Sequence, residues 1–134
     1  MMDIQAPLRY TKSHEWARRE GGEIVVGITT HAQQELRDIV FIELPKAGRA
    51  VKQGEAVAVI ESVKAAFDIY APISGEITAV NADAVKDPAT VNADAFGKGW
   101  LFQLKASAPD EASKLMDHAG YEQFLKAEAA HGSH

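Results

Sequence analysis

Short runs of β-branched and other apolar residues, broken by turns that contain glycine or proline, recur along most of this chain. Such runs are typical of strands, because branched and aromatic side chains pack well on a pleated surface. The pattern therefore predicts a mainly β protein. The clearest strand segments are residues 8–11 at a sheet edge, residues 24–28, residues 39–44 and residues 100–104.

A short helix is predicted between the second and third of these segments. Thr30 and Gln33 have the spacing of a capping box, with Thr30 as the N-cap, so the helix is expected near residues 30–37. A long polar connection follows later, over residues 81–99, with Asp87-Pro88 and two late glycines as breakers of regular structure. A connection of this length without its own secondary structure is often functional or packed as a lid.

The C-terminal part is predicted to be helical. Ser107 is suited to cap a helix that has Pro109 in its first turn, and Gly120 is suited to end it. A second helical segment is then expected from Tyr121 to about residue 130, and residues 131–134 are expected to be disordered.

A weak internal repeat surrounds one lysine in the middle of the chain. Gly54 lies ten residues before Lys64 and Gly75 eleven after it, each beside a run of β-forming residues. The symmetry of these turns favours strand–turn–strand, with Lys64 at the tip of a hairpin. Residues 55–69 are also compatible with an amphipathic helix, and the tip lacks the Asn-Gly or Asp-Gly of a tight hairpin. The apolar positions that fit a helix are Val57, Ile60, Val63 and Phe67.

Composition excludes several classes of function. The net charge of −5 leaves no basic stripe for nucleic acid and disfavours an anionic membrane surface. No apolar run approaches the length that spans a bilayer, so no membrane association is expected. The N-terminus has neither a secretion signal nor a transit peptide, which predicts a cytoplasmic protein, or a mitochondrial matrix protein if a presequence has been trimmed. The absence of cysteine excludes disulfides, thiolate zinc sites and a protein-borne dithiol.

Side chains alone give no convincing catalytic site. The five histidines lack paired metal-ligand spacing inside one confident helix, so no metal site is predicted. Ser62 lacks a nucleophile elbow, and Gly97-Lys98-Gly99 is too short for a phosphate loop. Lys64 then has two interpretations. It is either an ordinary solvated lysine or the attachment point of an acyl cofactor, for which its long stem would make a mobile arm.

The segment around Lys64 resembles the lipoylation segment of the H proteins of the glycine cleavage system. The motif context is Glu61-Ser62-Val63-Lys64-Ala65, followed by residues 68–76. The resemblance extends over about residues 8–126 of a single domain of 134 residues, with residues 127–134 as a flexible tail. Further matching motifs lie at residues 10–16, 26–29, 31–33, 40–45 and 97–101.

This resemblance implies a carrier rather than an enzyme. The implied fold is a barrel-sandwich hybrid of the lipoyl/biotinyl-like kind, with two antiparallel sheets, lipoate on Lys64 at a hairpin, and C-terminal helices. The arm would take the aminomethyl group from a pyridoxal-phosphate glycine decarboxylase (P protein) to a tetrahydrofolate-dependent aminomethyltransferase (T protein). A flavin dihydrolipoyl dehydrogenase (L protein) would reoxidise the dithiol. Attachment would need a lipoate-protein ligase or an octanoyl/lipoyl transferase, and a monomer is the family expectation.

The resemblance also implies a surface cleft that shelters the loaded arm. By motif matching, Glu15 and Asp68 would line it, and Glu35 would lie at its approach. Two residues depart from the family pattern: Phe67 replaces a common small polar residue, and Glu35 stands where some members carry histidine.

Two other functions remain open at this point. The chain could be an H-like lipoyl relay that donates lipoate to other lipoyl domains, which a reconstituted glycine decarboxylation assay would distinguish. It could also be an unmodified β-sandwich interaction module in which Lys64 is only a surface residue, and incubation with a lipoate ligase followed by mass measurement would distinguish that.

Overall fold

The computed structural model describes residues 8–20 and 23–132. Within these residues the chain is mainly β, as predicted, and its strands form two antiparallel sheets. The strands are β1 (Arg9–Tyr10), β2 (Glu15–Glu20), β3 (Glu23–Ile28), β4 (Ile39–Glu43), β5 (Ala50–Val51), β6 (Ala56–Ser62), β7 (Ala66–Tyr70), β8 (Gly75–Val80) and β9 (Phe102–Ala106). One sheet has six strands in the order β1-β2-β3-β9-β8-β5, and the other has three in the order β4-β6-β7.

The main hydrophobic core lies between the two sheets. It is built from the inward-facing apolar side chains of most strands, because alternate residues of a half-buried strand point to one face. Ile60 on β6, Ile77 on β8 and Leu104 on β9 are fully buried there. The core thus holds β6, the central strand of the smaller sheet, firmly in place.

A second apolar cluster packs the C-terminal helix α4 (His118–Gly132) against the start of the chain. Tyr10 and Tyr121 stack with ring centroids 4.6 Å apart and an interplanar angle of 7°. Trp16 is fully buried in the same cluster, and its indole N–H donates to the carbonyl of Ala95 at 3.1 Å. Helix α4 is therefore fixed beside the turn that joins β1 and β2.

The central repeat forms a hairpin, and the helical interpretation of residues 55–69 is wrong. Strands β6 and β7 pair antiparallel, with Ile60 opposite Phe67 and Glu61 opposite Ala66. Ile60 is fully buried while Glu61 is exposed, and such alternation between neighbouring residues is typical of a strand. The predicted position of Lys64 at a hairpin tip is confirmed.

The other segments differ from prediction in their ends. Helix α1 spans Thr30–Leu36, but its N-cap is Thr29, whose side chain accepts from the Ala32 amide. Thr29 has extended backbone angles, as an N-cap requires, and this places Thr30 inside the helix. The last strand begins at Phe102 instead of residue 100.

The predicted loop of residues 81–99 instead contains two short helices, α2 (Ala82–Lys86) and α3 (Ala89–Ala93). They bury Ala84 and Val91 in the main core. The Asn81 side-chain amide donates to the carbonyls of Lys98 and Trp100, which ties the two ends of this segment together. The segment is therefore a packed part of the fold.

The C-terminal helices were also predicted with the wrong ends. Pro109–Lys114 is a 3₁₀ helix, and Gly120 lies inside α4 instead of ending a helix. Helix α4 includes residues 121–130, as predicted, and ends at Gly132; residues 133–134 lie outside the described residues, and the flexibility of residues 127–134 stays a prediction. No helix in the described ranges is long and apolar enough to cross a membrane.

Candidate functional site

The hairpin tip (residues 62–65) is held by the side chain of one serine. The Ser62 hydroxyl accepts hydrogen bonds from the amides of Lys64 and Ala65 at 3.3 and 3.1 Å. The Ser62 amide in turn donates to the Ala65 carbonyl at 2.8 Å. A serine that bonds the backbone of the following residues can replace the usual Asn-Gly chemistry of a tight turn.

Lys64 projects from this tip into solvent. It is exposed, and the neighbouring Val63 retains 74% of its accessible surface. Among the described residues, no side-chain hydrogen bond or ion pair engages the Lys64 ammonium group. The amine is therefore accessible to an acylating enzyme on a turn whose backbone is fixed.

Glu15 lies in a very different environment at the start of β2. Its side chain is completely buried, and it accepts hydrogen bonds from Ser13 Oγ at 2.6 Å, from Thr11 Oγ1, and from the Tyr70 amide at 2.9 Å. Burial raises the pKa of the Glu15 carboxyl, while the hydrogen bonds from Ser13 and Thr11 oppose that shift. Among the described residues Oε2 accepts only from the Tyr70 amide, so it retains acceptor capacity, although its surface is covered in this structure.

Glu15 lines a surface pocket of about 510 Å³, called here the Glu15 pocket. The β1–β2 turn contributes to its lining, together with Gln53, Gly54 and Tyr70. Tyr70 ends β7, the strand that begins just after the Lys64 tip. The hairpin that presents Lys64 therefore also contributes to the wall and to the hydrogen bonding of this pocket.

The other two predicted cleft residues lie elsewhere. Asp68 is exposed on β7 opposite Val59, and it lines a second concavity of about 500 Å³ beside Lys46 and Arg49. Glu35 is exposed on α1, with Oε2 3.5 Å from Nε2 of His31. The concavity that contains Asp68 is separate from the Glu15 pocket, so the predicted cleft residues do not form one compact cluster.

Sequence analysis missed a cluster of imidazole and carboxylate groups near the Glu15 pocket. The rings of His14 and His31 lie 4.5 Å apart, and His14 Nε2 lies 3.6 Å from Oε1 of Glu128. Burial and the neighbouring His31 lower the pKa of His14. These residues come from the β1–β2 turn, α1 and α4, so no local spacing could have indicated that they meet.

Comparisons with known proteins agree with this architecture. The family model described as Glycine cleavage H-protein matches residues 8–128. A glycine cleavage system H protein of Thermus thermophilus is 52% identical over 128 residues, covering 96% of this chain and 100% of that protein. One from Aromatoleum aromaticum is 54% identical over 123 residues, covering 91% and 95%. The crystal structure of an H protein from Mycobacterium marinum superposes with a TM-score of 0.72 at 38% identity, covering 80% and 94%.

The two antiparallel sheets and the match to a solved H protein define the barrel-sandwich class, and the family that the comparisons indicate consists of non-enzymatic carriers. The family-model match over residues 8–128 and the sequence identities above 50% to H proteins indicate one family within this class. The chain belongs to the glycine cleavage H-protein family. Proteins of this family carry lipoate on a lysine and serve the glycine cleavage system as a carrier subunit.

Proposed function

We propose that Lys64 is the lipoyl attachment residue of this chain. The observation that supports the assignment most strongly is the exposed amine on a tip whose backbone is fixed by Ser62. The family membership supports the chemistry, since it implies an acyl bond between lipoate and a lysine amine. The redox and group-transfer chemistry then belongs to the cofactor, and the protein supplies presentation.

The proposed cargo is the aminomethyl group of glycine. The lipoyl arm receives it from glycine decarboxylase and delivers it to aminomethyltransferase, and dihydrolipoyl dehydrogenase reoxidises the arm. Exposure of Val63 and Lys64 supports access by several enzymes in turn, because both residues face solvent. A lipoate-protein ligase or an octanoyl/lipoyl transferase would load the arm.

We further propose that the Glu15 pocket shelters the loaded arm. Lys64 and Tyr70 are six residues apart along one hairpin, or about 20 Å at ~3.3 Å per residue. A lysine stem extended by an acyl chain is suited to fold back along β7 toward that pocket. There the unused acceptor position on Glu15 Oε2, once uncovered by a shift of the adjoining β1–β2 turn, would hold the ammonium of the aminomethylated arm, and the pocket walls would limit access of water. Asp68 would contribute from the exposed face of β7.

Intact-mass measurement tests the attachment residue. The unmodified chain is incubated with a lipoate ligase, lipoate and ATP, and a gain of one lipoyl group is expected. Lys64→Arg should abolish that gain, while Lys86→Arg, a control on helix α2, should leave it complete. A lipoyl gain that persists in Lys64→Arg would overturn the assignment.

The shelter is tested by the lifetime of the loaded carrier in the absence of aminomethyltransferase. Glu15→Gln should shorten it most and Asp68→Asn less, since Asp68 is exposed. Glu35→Gln is the surface-acid comparison, because Glu35 lies beside His31 and not in the Glu15 pocket. A lifetime unchanged in both Glu15→Gln and Glu15→Ala would contradict the shelter without affecting the assignment of Lys64.

A further inference from the structure

We propose that His14, His31 and Glu128 form a binding site for a divalent transition-metal ion of the Zn²⁺ kind. One potential ligand atom from each residue lies within 4.8 Å of the others. Donors around tetrahedral zinc lie about 2.0–2.1 Å from the ion, and hence about 3.4 Å from one another. Small side-chain rotations therefore suffice to close the site, and Glu128, half-exposed near the end of α4, has the freedom to make them.

The orientation of the His14 ring supports this proposal. Its Nδ1 lies 2.7 Å from the hydroxyl of Tyr121, which is itself 2.8 Å from Oγ1 of Thr29. With Nδ1 protonated, its N–H donates to Tyr121 and the lone pair is on Nε2, the nitrogen that faces Glu128. A hydrogen bond on the other ring nitrogen is the usual way in which proteins orient a histidine for metal binding.

The backbone of His14 is also held in an unusual conformation. Its φ of 72° lies in the left-handed region that non-glycine residues rarely adopt. The His14 amide donates to the Thr11 carbonyl at 3.1 Å, and the His14 carbonyl accepts from the Thr29 amide at 3.0 Å. Strain of this kind persists where the surrounding structure enforces it, and it is concentrated at functional positions. Here it places the imidazole of a turn against the side chain of a helix residue, His31.

The donor set determines the class of ion. Two imidazoles and one carboxylate suit Zn²⁺ and its borderline neighbours, whereas Ca²⁺ and Mg²⁺ require ligands that are all oxygen. Three protein ligands leave a fourth position for water. Glu35 lies 3.5 Å from Nε2 of His31 and is close enough to orient that ring when its other nitrogen binds the ion. The bound ion would connect the β1–β2 turn, α1 and α4.

Zinc titration of the full-length chain tests the proposal. The Lys64→Arg background is used so that no lipoyl dithiol competes for the ion. Calorimetry with a chromophoric competitor should give one equivalent of Zn²⁺, and His31→Gln or Glu128→Gln should each weaken binding at least tenfold. These two side chains are partly exposed, so both variants should fold. Tyr121→Phe should weaken binding by about 10- to 100-fold, because it removes the orienting hydroxyl.

Two control variants separate this site from other histidines. His118 lies 3.2 Å from Glu122 on the exposed face of α4, as a histidine–carboxylate pair, and His118→Gln should leave zinc binding unchanged. A double variant of the last two histidines, His131→Gln with His134→Gln, should also leave it unchanged. Absence of stoichiometric binding, or binding that His31→Gln leaves intact, would overturn the proposal. So would binding that the double variant abolishes.

Discussion

The Lys64 tip and the Glu15 pocket lie at the two ends of the same strand, β7, yet they are built in opposite ways. The tip consists of four consecutive residues whose backbone is closed by one serine side chain, and its lysine faces solvent. The carboxylate of Glu15 is completely buried and accepts three hydrogen bonds from two separate segments of the chain. The proposed attachment lysine needs exposure to reach several partners, while the proposed shelter needs to be enclosed.

This contrast predicts that substitutions at the tip change modification and leave folding intact, whereas substitutions in the pocket change both. The tip contributes little buried surface, so a substitution there removes few contacts from the folded protein. The pocket contains donors that lose their acceptor when Glu15 is removed, and a buried donor without a partner is costly.

The largest stability effect is expected for Glu15→Ala. It leaves the Thr11 and Ser13 hydroxyls and the Tyr70 amide without their acceptor, and a fully buried unsatisfied group costs about 1–3 kcal/mol. Ser13 is exposed and can turn to water, while Thr11 and Tyr70 are partly buried, so we expect a net loss of about 2 kcal/mol, measured by urea unfolding. Glu61→Ala, an exposed acid on the same hairpin, is the control and should stay within about 0.5 kcal/mol of the native chain. Equal losses of unfolding free energy in the two variants would contradict the contrast between the enclosed pocket and the exposed hairpin.

A smaller effect is expected for Tyr121→Phe, on the far side of the pocket wall. Tyr121 stacks on Tyr10, which lines the pocket, and its hydroxyl is bonded to Thr29 and lies beside His14. Deleting the hydroxyl should lower the free energy of unfolding by about 1.5 kcal/mol at pH 7. The aromatic stack itself is retained, so the protein should still fold.

The same variant has a signature at alkaline pH. Burial raises the pKa of Tyr121 to about 12, above the value of about 10 for an unfolded tyrosine. Because the folded state holds this proton more tightly, its contribution is complete below pH 10 and is lost as the pH rises toward 12. The unfolding free energy of the native chain should therefore fall more steeply over this range than that of Tyr121→Phe. Parallel curves would contradict the raised pKa.

Sequence patterns predicted the tip well because its determinants are local. The alternation in β6 and β7 and the flanking turns lie within about twenty residues of Lys64, although the two glycines serve different purposes. Gly54 has a positive φ of 86°, while a Cβ on Gly75 would collide with the Lys105 carbonyl of β9. The repeat thus gave the correct hairpin, although the apparent symmetry of its turns has two physical origins.

The pocket and the histidine cluster could not be predicted in the same way. Glu15 meets Tyr70 across 55 residues of sequence, and His14 meets Tyr121 across 107. Hydrophobic periodicity carries no information on such pairs, which depend on how the sheets and α4 pack. The family resemblance predicted Glu15 as a cleft residue, but it gave no indication that its carboxylate accepts hydrogen bonds from Thr11, Ser13 and Tyr70. Element ends were missed where a cap lay one residue away, as at Thr29.

At the tip itself, Ser62→Ala is expected to have a modest effect. It removes the acceptor for the Lys64 and Ala65 amides and should lower stability by about 1 kcal/mol. Hydrogen exchange of the Ala65 amide should accelerate, because this amide is protected by the serine hydroxyl alone among the described contacts at the turn. Ser62→Thr, which retains the hydroxyl, should restore the protection. Acceleration of equal size in the threonine variant would show that the hydroxyl does not hold the turn.

The smallest effect on stability is expected for Val63→Ser. This variant is also the most informative test of how the tip presents Lys64 to the loading enzyme. Val63 is 74% exposed, so its loss should change the free energy of unfolding by less than about 0.5 kcal/mol. An apolar side chain that is exposed beside the proposed attachment lysine is explained if the loading enzyme covers it. Full burial of a valine is worth about 1.5 kcal/mol, which corresponds to roughly tenfold in kcat/KM for lipoylation. Glu61→Gln, also exposed, is the matched control. A lipoylation rate unchanged in Val63→Ser would mean that the enzyme recognises the backbone and the lysine of the tip, and the contrast between tip and pocket would then rest on exposure alone.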